Sequence, residues 1–309
     1  MPSVFIDSEL NDFDRRTGLY RGDLFVFTPR ASTLALVDHA RSMIEEALPG
    51  LDPLRAQHAM AVERYVEIMA PLKPAFIHHP RTKELIRDLV EDLGCSLENT
   101  FLDVPRLRMV TSDGYLTAGI GYAHHPHRDT WYSAPQCQLN WWIPLWDIQA
   151  ESALAFHPAW FDRPIKNSSS DFNYYRWNSE GRKNAAQHIK QDTRNQPKPL
   201  EPIDLGPELR VVLKAGGIVL FSPVQLHSTV PNTTGLTRYS LDFRTVALDD
   251  VLAGRGAPNV DAACTGTSLR DFKRGSDLAP LPEEQVARYD SGSEAGGMLV
   301  FTPALERAS

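Results

Sequence analysis

From about residue 101 the chain becomes a string of short apolar or alternating segments, and that change of pattern constrains its fold more than any other feature. "FLDVPRLRMVTS", "QLNWWIPLWDI", "SALAFHP", "LRVVLK", "GIVLFS" and "RYSLDFRTVAL" are each of strand length and are punctuated by Gly, Pro and Asn. Many short strands in series predict a two-sheet jelly roll, or double-stranded β-helix. Before them the pattern is helical. Residues 32–48 carry Leu36, Val37, Ala40, Met43, Ile44 and Ala47 at helical spacing after a possible Ser32 cap, and Pro49-Gly50 ends the element. A second helix is expected over 55–70, and a third through 81–94, where Leu85, Ile86, Leu89, Val90 and Leu93 form one face and Gly94 is the exit. The expected organisation is one mainly β domain over 1–309: a helical buttress to residue 100, a jelly-roll core over 101–248 interrupted by an insertion at 162–200, and a surface-wrapping extension over 249–309.

Composition narrows the class without deciding it. At 309 residues and 42% hydrophobic content the chain can bury a sizeable core. Cys95, Cys137 and Cys264 are odd in number and far apart, so no disulfide framework or CxxC metal site is read from them, and a reducing, cytoplasmic setting is expected. The first residues carry acids where a secretory leader would carry bases, and no apolar stretch is long enough to span a bilayer. A formal net charge of −7 argues against nucleic acid as a partner. A small molecule is the expected partner, and oligomeric state stays open.

Within the strand-rich half lies His127-Arg128-Asp129, answered by His227 and then by Arg238-Tyr239-Ser240. Residues at i and i+2 on a strand project to one face, so His127 and Asp129 can grip one ion together. His227 would complete two imidazoles and one carboxylate on one side of a metal, with open positions opposite, as in non-haem Fe(II) sites. Eleven residues past His227, Arg238 offers a planar fork suited to a carboxylate, with Ser240 on the same strand face. That combination suits 2-oxoglutarate held against iron. Singly, each residue has an ordinary reading: His127 beside Pro126 as a turn histidine, Asp129 as a cap for Thr130, His227 bonded to Ser228. Their order and spacing together carry the weight.

Residues 117–148, "TAGIGYAHHPHRDTWYSAPQCQLNWWIPLWDI", and 209–247, with a Gly turn, "LFSPVQLH" and Arg-x-Ser, resemble the phytanoyl-CoA dioxygenase branch of the Fe(II)/2-oxoglutarate-dependent oxygenases. The two blocks cover about a quarter of the chain. The resemblance implies an oxygenase that consumes O2 and 2-oxoglutarate, releases succinate and CO2, and in the default outcome hydroxylates a small molecule, as in secondary metabolism or catabolism. It implies His127, Asp129 and His227 as iron ligands and Arg238 with Ser240 as the cosubstrate clamp. Asp129 stands where related halogenases carry a small residue, which favours oxygenation.

The remaining candidates are weaker. Gln138 and Asn140 are polar in a strand expected to line the barrel and are candidates to touch 2-oxoglutarate, as is Thr117. Trp131 and Trp142 are candidate substrate walls, and Arg244, on the face of Arg238 by parity, is assigned to the substrate or to an ion pair. The 163–198 segment carries eight basic residues against three acids and is a candidate lid for an anionic substrate, with Arg176 and Trp177 its most suggestive residues and Arg182 and Lys183 further cations. Two rivals remain: a zinc or manganese cupin-type site built on His125-Pro126-His127, which lacks the expected Glu, and a jelly-roll binding protein without catalysis.

Overall fold

The computed structural model describes residues 2–181 and 185–291. Eleven strands are present among them: β1 (Val4–Ile6), β2 (Leu24–Phe27), β3 (Thr100–Leu102), β4 (Arg106–Val110), β5 (Leu139–Pro144), β6 (Leu154–Phe156), β7 (Leu209–Val211), β8 (Ile218–Phe221), β9 (His227–Thr229), β10 (Arg238–Ala247) and β11 (Lys273–Arg274). They form two sheets, as expected. The larger runs β1-β2-β8-β5-β10-β3-β11, with β4 also paired to β10, and the smaller runs β7-β6-β9. The sheets face each other as an open jelly roll, not a closed barrel.

Period-2 alternation explains what each face does. On β10, Tyr239, Leu241 and Phe243 enter the main core, while Arg238, Asp242 and Arg244 line a cavity on the other side. Its neighbours repeat the pattern. Leu107 and Met109 of β4 and Leu139, Trp141 and Ile143 of β5 join that core, whereas Arg106, Arg108, Asn140 and Trp142 border the cavity. The register sets Arg108 opposite Ser240 and Asn140 opposite Arg244.

Helices cover the outer face of the large sheet. α1 (Asp12–Tyr20) is capped by Asn11, whose side chain accepts from the Asp14 amide. α2 (Ala31–Ala47), α3 (Val62–His78) and α4 (Pro80–Asp92) bury Leu36, Val37, Met69, Phe76, Leu85 and Leu89 in the main core. Ser32 does not cap α2; its hydroxyl donates to Asp92 at 2.7 Å, and the Arg30 amide instead donates to Thr33 Oγ1. The helix expected over 55–70 splits into a 3₁₀ turn, Pro53–His58, and α3, which continues through Pro71 and Pro74.

Two further expectations need correction. The first hundred residues are not purely helical, because β1 and β2 extend the large sheet beyond β8. The apolar run Leu24-Phe25-Val26-Phe27 buries better as a strand than as part of a helical layer. The C-terminal extension does more than wrap the surface: Val251, Leu269, Phe272, Leu281 and Val286 form their own buried cluster with Phe101 and Cys137. Residues 292–309 lie outside the described residues.

Candidate active site

His127 and His227 face each other directly. Each amide donates to the other's carbonyl at 3.0 Å, an isolated antiparallel bridge that joins the loop before β5 to β9. Arg128 is extended (φ −111°, ψ 143°), which sends His127 and Asp129 to the same side, but Asp129 already opens a 3₁₀ turn, Asp129–Tyr132. The i, i+2 geometry therefore comes from one extended residue and not from a full strand.

The three side chains meet. One ligand atom from each of His127, Asp129 and His227 lies within 4.8 Å of the others, the only such group of three among the described residues. Asp129 Oδ1 is 3.5 Å from His127 Nε2 and 3.9 Å from His227 Nε2. Both rings are oriented from behind: His127 Nδ1 meets His125 O at 2.8 Å, and His227 Nδ1 meets Gln225 O at 2.9 Å. A carbonyl can only accept, so Nδ1 carries the proton in each ring and Nε2 presents a lone pair. Burial, and then the neighbouring His127, push His227 down to about 3, which keeps it neutral. Burial alone would raise the Asp129 carboxyl, but the Arg244 guanidinium beside it holds it well below the usual range. Two imidazoles and one carboxylate fit a divalent transition metal.

Asp129 is itself positioned. Its Oδ2 is 3.4 Å from Gln138 Nε2 and 3.6 Å from Arg244 Nη2, so its two oxygens have different partners. Gln138 passes a second donor contact to Asn140 Oδ1 at 2.9 Å. Arg244 also contacts Asp242 and Asp103, which makes it an ion-pair residue. Between the two ligands of the motif, Arg128 is fully buried and every donor of its guanidinium is used: on Asp261, and on the carbonyls of Phe161, Val224, Trp160 and Arg163. Asp261 in turn accepts from Trp131 Nε1 at 2.7 Å and from the Ile165 amide at 2.9 Å.

The triad lines a cavity of about 690 Å³, and Arg238 lines it too. Arg238 is buried beneath Trp142, its guanidinium carbon 5.4 Å from the ring centre. Its Nη1 donates to Ser152 O at 3.0 Å, while its Nε and the hydroxyl of Ser240 have no partner. Burial, and then Arg108, lower Arg238 to about 10. A buried cation with a free donor is a built receptor for an anion. Asn140 Nδ2 is likewise buried without a partner at the cavity wall.

Three expected site residues fall elsewhere. Thr117 is exposed and donates to Lys190 O, because the chain turns outward before the 3₁₀ turn at Gly119–Gly121. Trp131 is wholly buried on Asp261 and does not line this cavity; its neighbour Tyr132 does. Arg176 is exposed on the outer side of its helical turn, while Trp177 and Arg194 of the same segment face the cavity. Arg182 and Lys183 lie outside the described residues. The 163–198 segment does supply a cavity wall, through Phe172, Tyr174, Trp177 and Arg194. The HxH alternative loses its second imidazole, since His125 spends Nδ1 on Tyr122 OH and Nε2 on Pro197 O.

Other cavity residues went unrecognised in the sequence. Lys73 on α3 is pushed down to about 7 by burial and then by Arg108, with its ammonium on Ile120 O at 2.9 Å. Its spacing from Met69 and Phe76, on one helix face, was the available signal. Arg108 and Asp242 form a two-point ion pair at 2.5 and 3.3 Å.

The family model for phytanoyl-CoA dioxygenase (PhyH) matches residues 47–240, a span that holds every element of the triad and the Arg238 fork. The chain belongs to the phytanoyl-CoA dioxygenase family. It is a non-haem iron, 2-oxoglutarate-dependent oxygenase, with iron as cofactor and 2-oxoglutarate as cosubstrate. No curated protein matches the chain. Solved structures resemble it at a distance. EvdO2 from Micromonospora carbonacea var. aurantiaca, complexed with 2-oxoglutarate, is 16% identical with a TM-score of 0.44 over 78% of this chain and 92% of that one. The apo non-haem monooxygenase ThoJ is 16% identical, TM-score 0.40, over 82% and 79%. SnoN, an α-ketoglutarate-dependent epimerase from nogalamycin biosynthesis, is 16% identical, TM-score 0.37, over 88% and 96%. Family membership rests on the sequence match alone. No helix among the described residues is long and apolar enough to cross a membrane.

Proposed function

We propose that this oxygenase hydroxylates a small molecule bound in the 690 Å³ cavity, with iron held by His127, Asp129 and His227 and the far carboxylate of 2-oxoglutarate held by Arg238 and Ser240. The observation that carries the reading is the convergence of two Nε2 atoms and Oδ1 of Asp129, each fixed from behind, on a cavity that also holds an incompletely partnered arginine. Bound iron supplies oxygen activation coupled to decarboxylation of the 2-oxo acid. The protein's own part is positional. Gln138 and Arg244 hold Oδ2 of Asp129, and the two backbone carbonyls fix the imidazole tautomers. Arg238 supports the choice of 2-oxoglutarate, because a buried guanidinium gains most from a diacid whose second carboxylate reaches it. Trp142, stacked over Arg238, keeps water from that end.

Anaerobic addition of Fe(II) and 2-oxoglutarate should give a visible charge-transfer band. Replacing His127 or Asp129 by Ala should abolish it. A normal band in His127→Ala would remove His127 from the ligand set. Screening candidate metabolites for stimulated succinate release, with product mass, tests hydroxylation; a product that gains no oxygen atom would replace hydroxylation with another oxidation.

A further inference from the structure

The cavity has two unlike sides. Its floor, on β10, β4 and the turn before β4, is apart from Arg238 a lattice of charges matched to one another: Asp242 with Arg108 and Arg244, and Asp103 with Arg106 and Arg244. The facing wall is aromatic and continuous. Tyr132 meets His127 edge-on with ring centres 5.5 Å apart, Phe172 meets Tyr132 at 5.3 Å, and Trp177 lies 6.0 Å from Phe172. Arg194 closes the row, its guanidinium 5.2 Å from the Trp177 ring centre and its charge matched by Asp192. All five border the cavity.

The polar ends of the tyrosines on this wall are spent elsewhere. Tyr132 OH donates to Pro197 O, and Tyr122 OH pairs with His125 Nδ1. Ring carbon, not hydroxyl, is therefore what the wall offers. Trp177 is seated by the backbone beneath it: a Cβ on Gly181 would come within 2.5 Å of the indole. Iron and 2-oxoglutarate account for the triad and Arg238, but neither has a use for a strip of rings that starts at a candidate iron ligand and leads away from it.

We propose that the molecule oxidised by this enzyme is a planar, largely apolar ring system that lies along the Tyr132–Phe172–Trp177 strip. The inference rests on the function proposed above and adds a substrate class to it. Flat rings gain stacking and edge contacts against such a wall that saturated rings of the same size do not. The strip begins at His127, so a ring edge at its inner end lies beside the metal position, and the 163–198 segment becomes the determinant of which ring system is accepted.

The test uses the full-length protein loaded with Mn(II) and 2-oxoglutarate. Isothermal titration is run with naphthalen-2-ol, naphthalene-2-carboxylate and phenanthren-9-ol, each paired with its perhydro analogue. The planar members should bind at least fivefold more tightly than their saturated partners. Phe172→Leu and Trp177→Leu, which keep apolar bulk, should erase that preference, and Phe13→Ala, on an exposed helix face, should preserve it. Gly181→Ala should weaken the planar ligands by displacing the Trp177 indole without replacing any residue of the strip, and it serves if a Leu variant fails to fold. Equal binding within the pairs, an undiminished preference in both the Leu and the Gly181 variants, or no binding at all in a protein that still responds to 2-oxoglutarate would overturn the inference. A protein with no response to 2-oxoglutarate overturns the earlier reading, and this one with it.

Discussion

Replacing Arg238 by Met separates what this residue costs the empty protein from what it contributes to the loaded one. The guanidinium sits beneath Trp142 without a carboxylate partner, and burial together with Arg108 takes it from 12.5 down to about 10. That displacement corresponds to roughly 3 kcal/mol spent on keeping the charge inside. Methionine removes this cost but also the donor to Ser152 O, and a carbonyl left bare costs about 1–2 kcal/mol. The unliganded variant should therefore be more stable than the parent by about 1–2 kcal/mol, a rise in Tm of roughly 3 °C for a domain of this size. Cosubstrate reverses the order. At a concentration 100 times its Kd, 2-oxoglutarate stabilises the parent by about 2.7 kcal/mol. Loss of a charge-assisted two-point contact worth about 3 kcal/mol raises the Kd about 100-fold, so at the same concentration the variant gains only about 0.4 kcal/mol. Thermal unfolding with Mn(II) in place of iron, with and without 2-oxoglutarate, reads both effects in one experiment. A ligand-induced shift in Arg238→Met as large as the parent's would refute the assignment, and a large loss of stability in the empty variant would show that the arginine serves the fold.

Three further outcomes are expected. Gln138→Leu leaves Oδ2 of Asp129 to Arg244 alone and should weaken Mn(II) binding by about tenfold, measured by electron paramagnetic resonance, with little change in the Tm of the metal-free protein. Asp261→Asn leaves the enclosed Arg128 without its counter-charge and should cost about 3 kcal/mol in urea unfolding; a change below about 1 kcal/mol would mean the backbone carbonyls suffice. Lys73, pushed down to about 7, holds fewer protons in the folded chain than in the unfolded chain between about pH 7 and 10.5. The contribution of this amine to stability therefore rises with pH across that window, and its penalty is largest below it. Lys73→Met should be more stable than the parent by about 1–2 kcal/mol at pH 6.5, with the gain shrinking towards pH 10; an advantage that does not vary with pH would exclude titration of this amine as its source.

The jelly roll was legible because its strands alternate, and alternation decides which side chains share a face. Arg238 and Arg244 followed from parity on β10, and Asn140 and Trp142 from parity on β5, with Gln138 just before that strand in the same phase. The triad was legible because its spacing survives outside regular structure, one extended residue at Arg128 being enough. Parity failed where the backbone leaves the strand. Asp129–Tyr132 is a 3₁₀ turn, so Trp131 and Tyr132 exchange the roles that a strand would give them. Arg176 and Trp177 are adjacent on a helical turn, and only contacts from Phe172, Arg194 and Gly181 decide which of them faces inward. Asp261, more than 100 residues beyond Arg128, leaves no periodic trace of its pairing. α3 runs through two prolines that read locally as a stop, since tertiary burial of Met69 and Phe76 outweighs their cost.

The single uninterrupted strand β10 limits how this catalyst can change. Lose one residue between positions 238 and 244, and whatever follows the gap rotates half a turn: an aromatic meant for the interior would confront the diacid, and an arginine would be forced into oil. Length variation is thus lethal there and affordable in the 163–198 loop on the opposite wall. Descendants of this chain can trade one guest for another by rewriting that loop, while the oxidising apparatus is inherited intact.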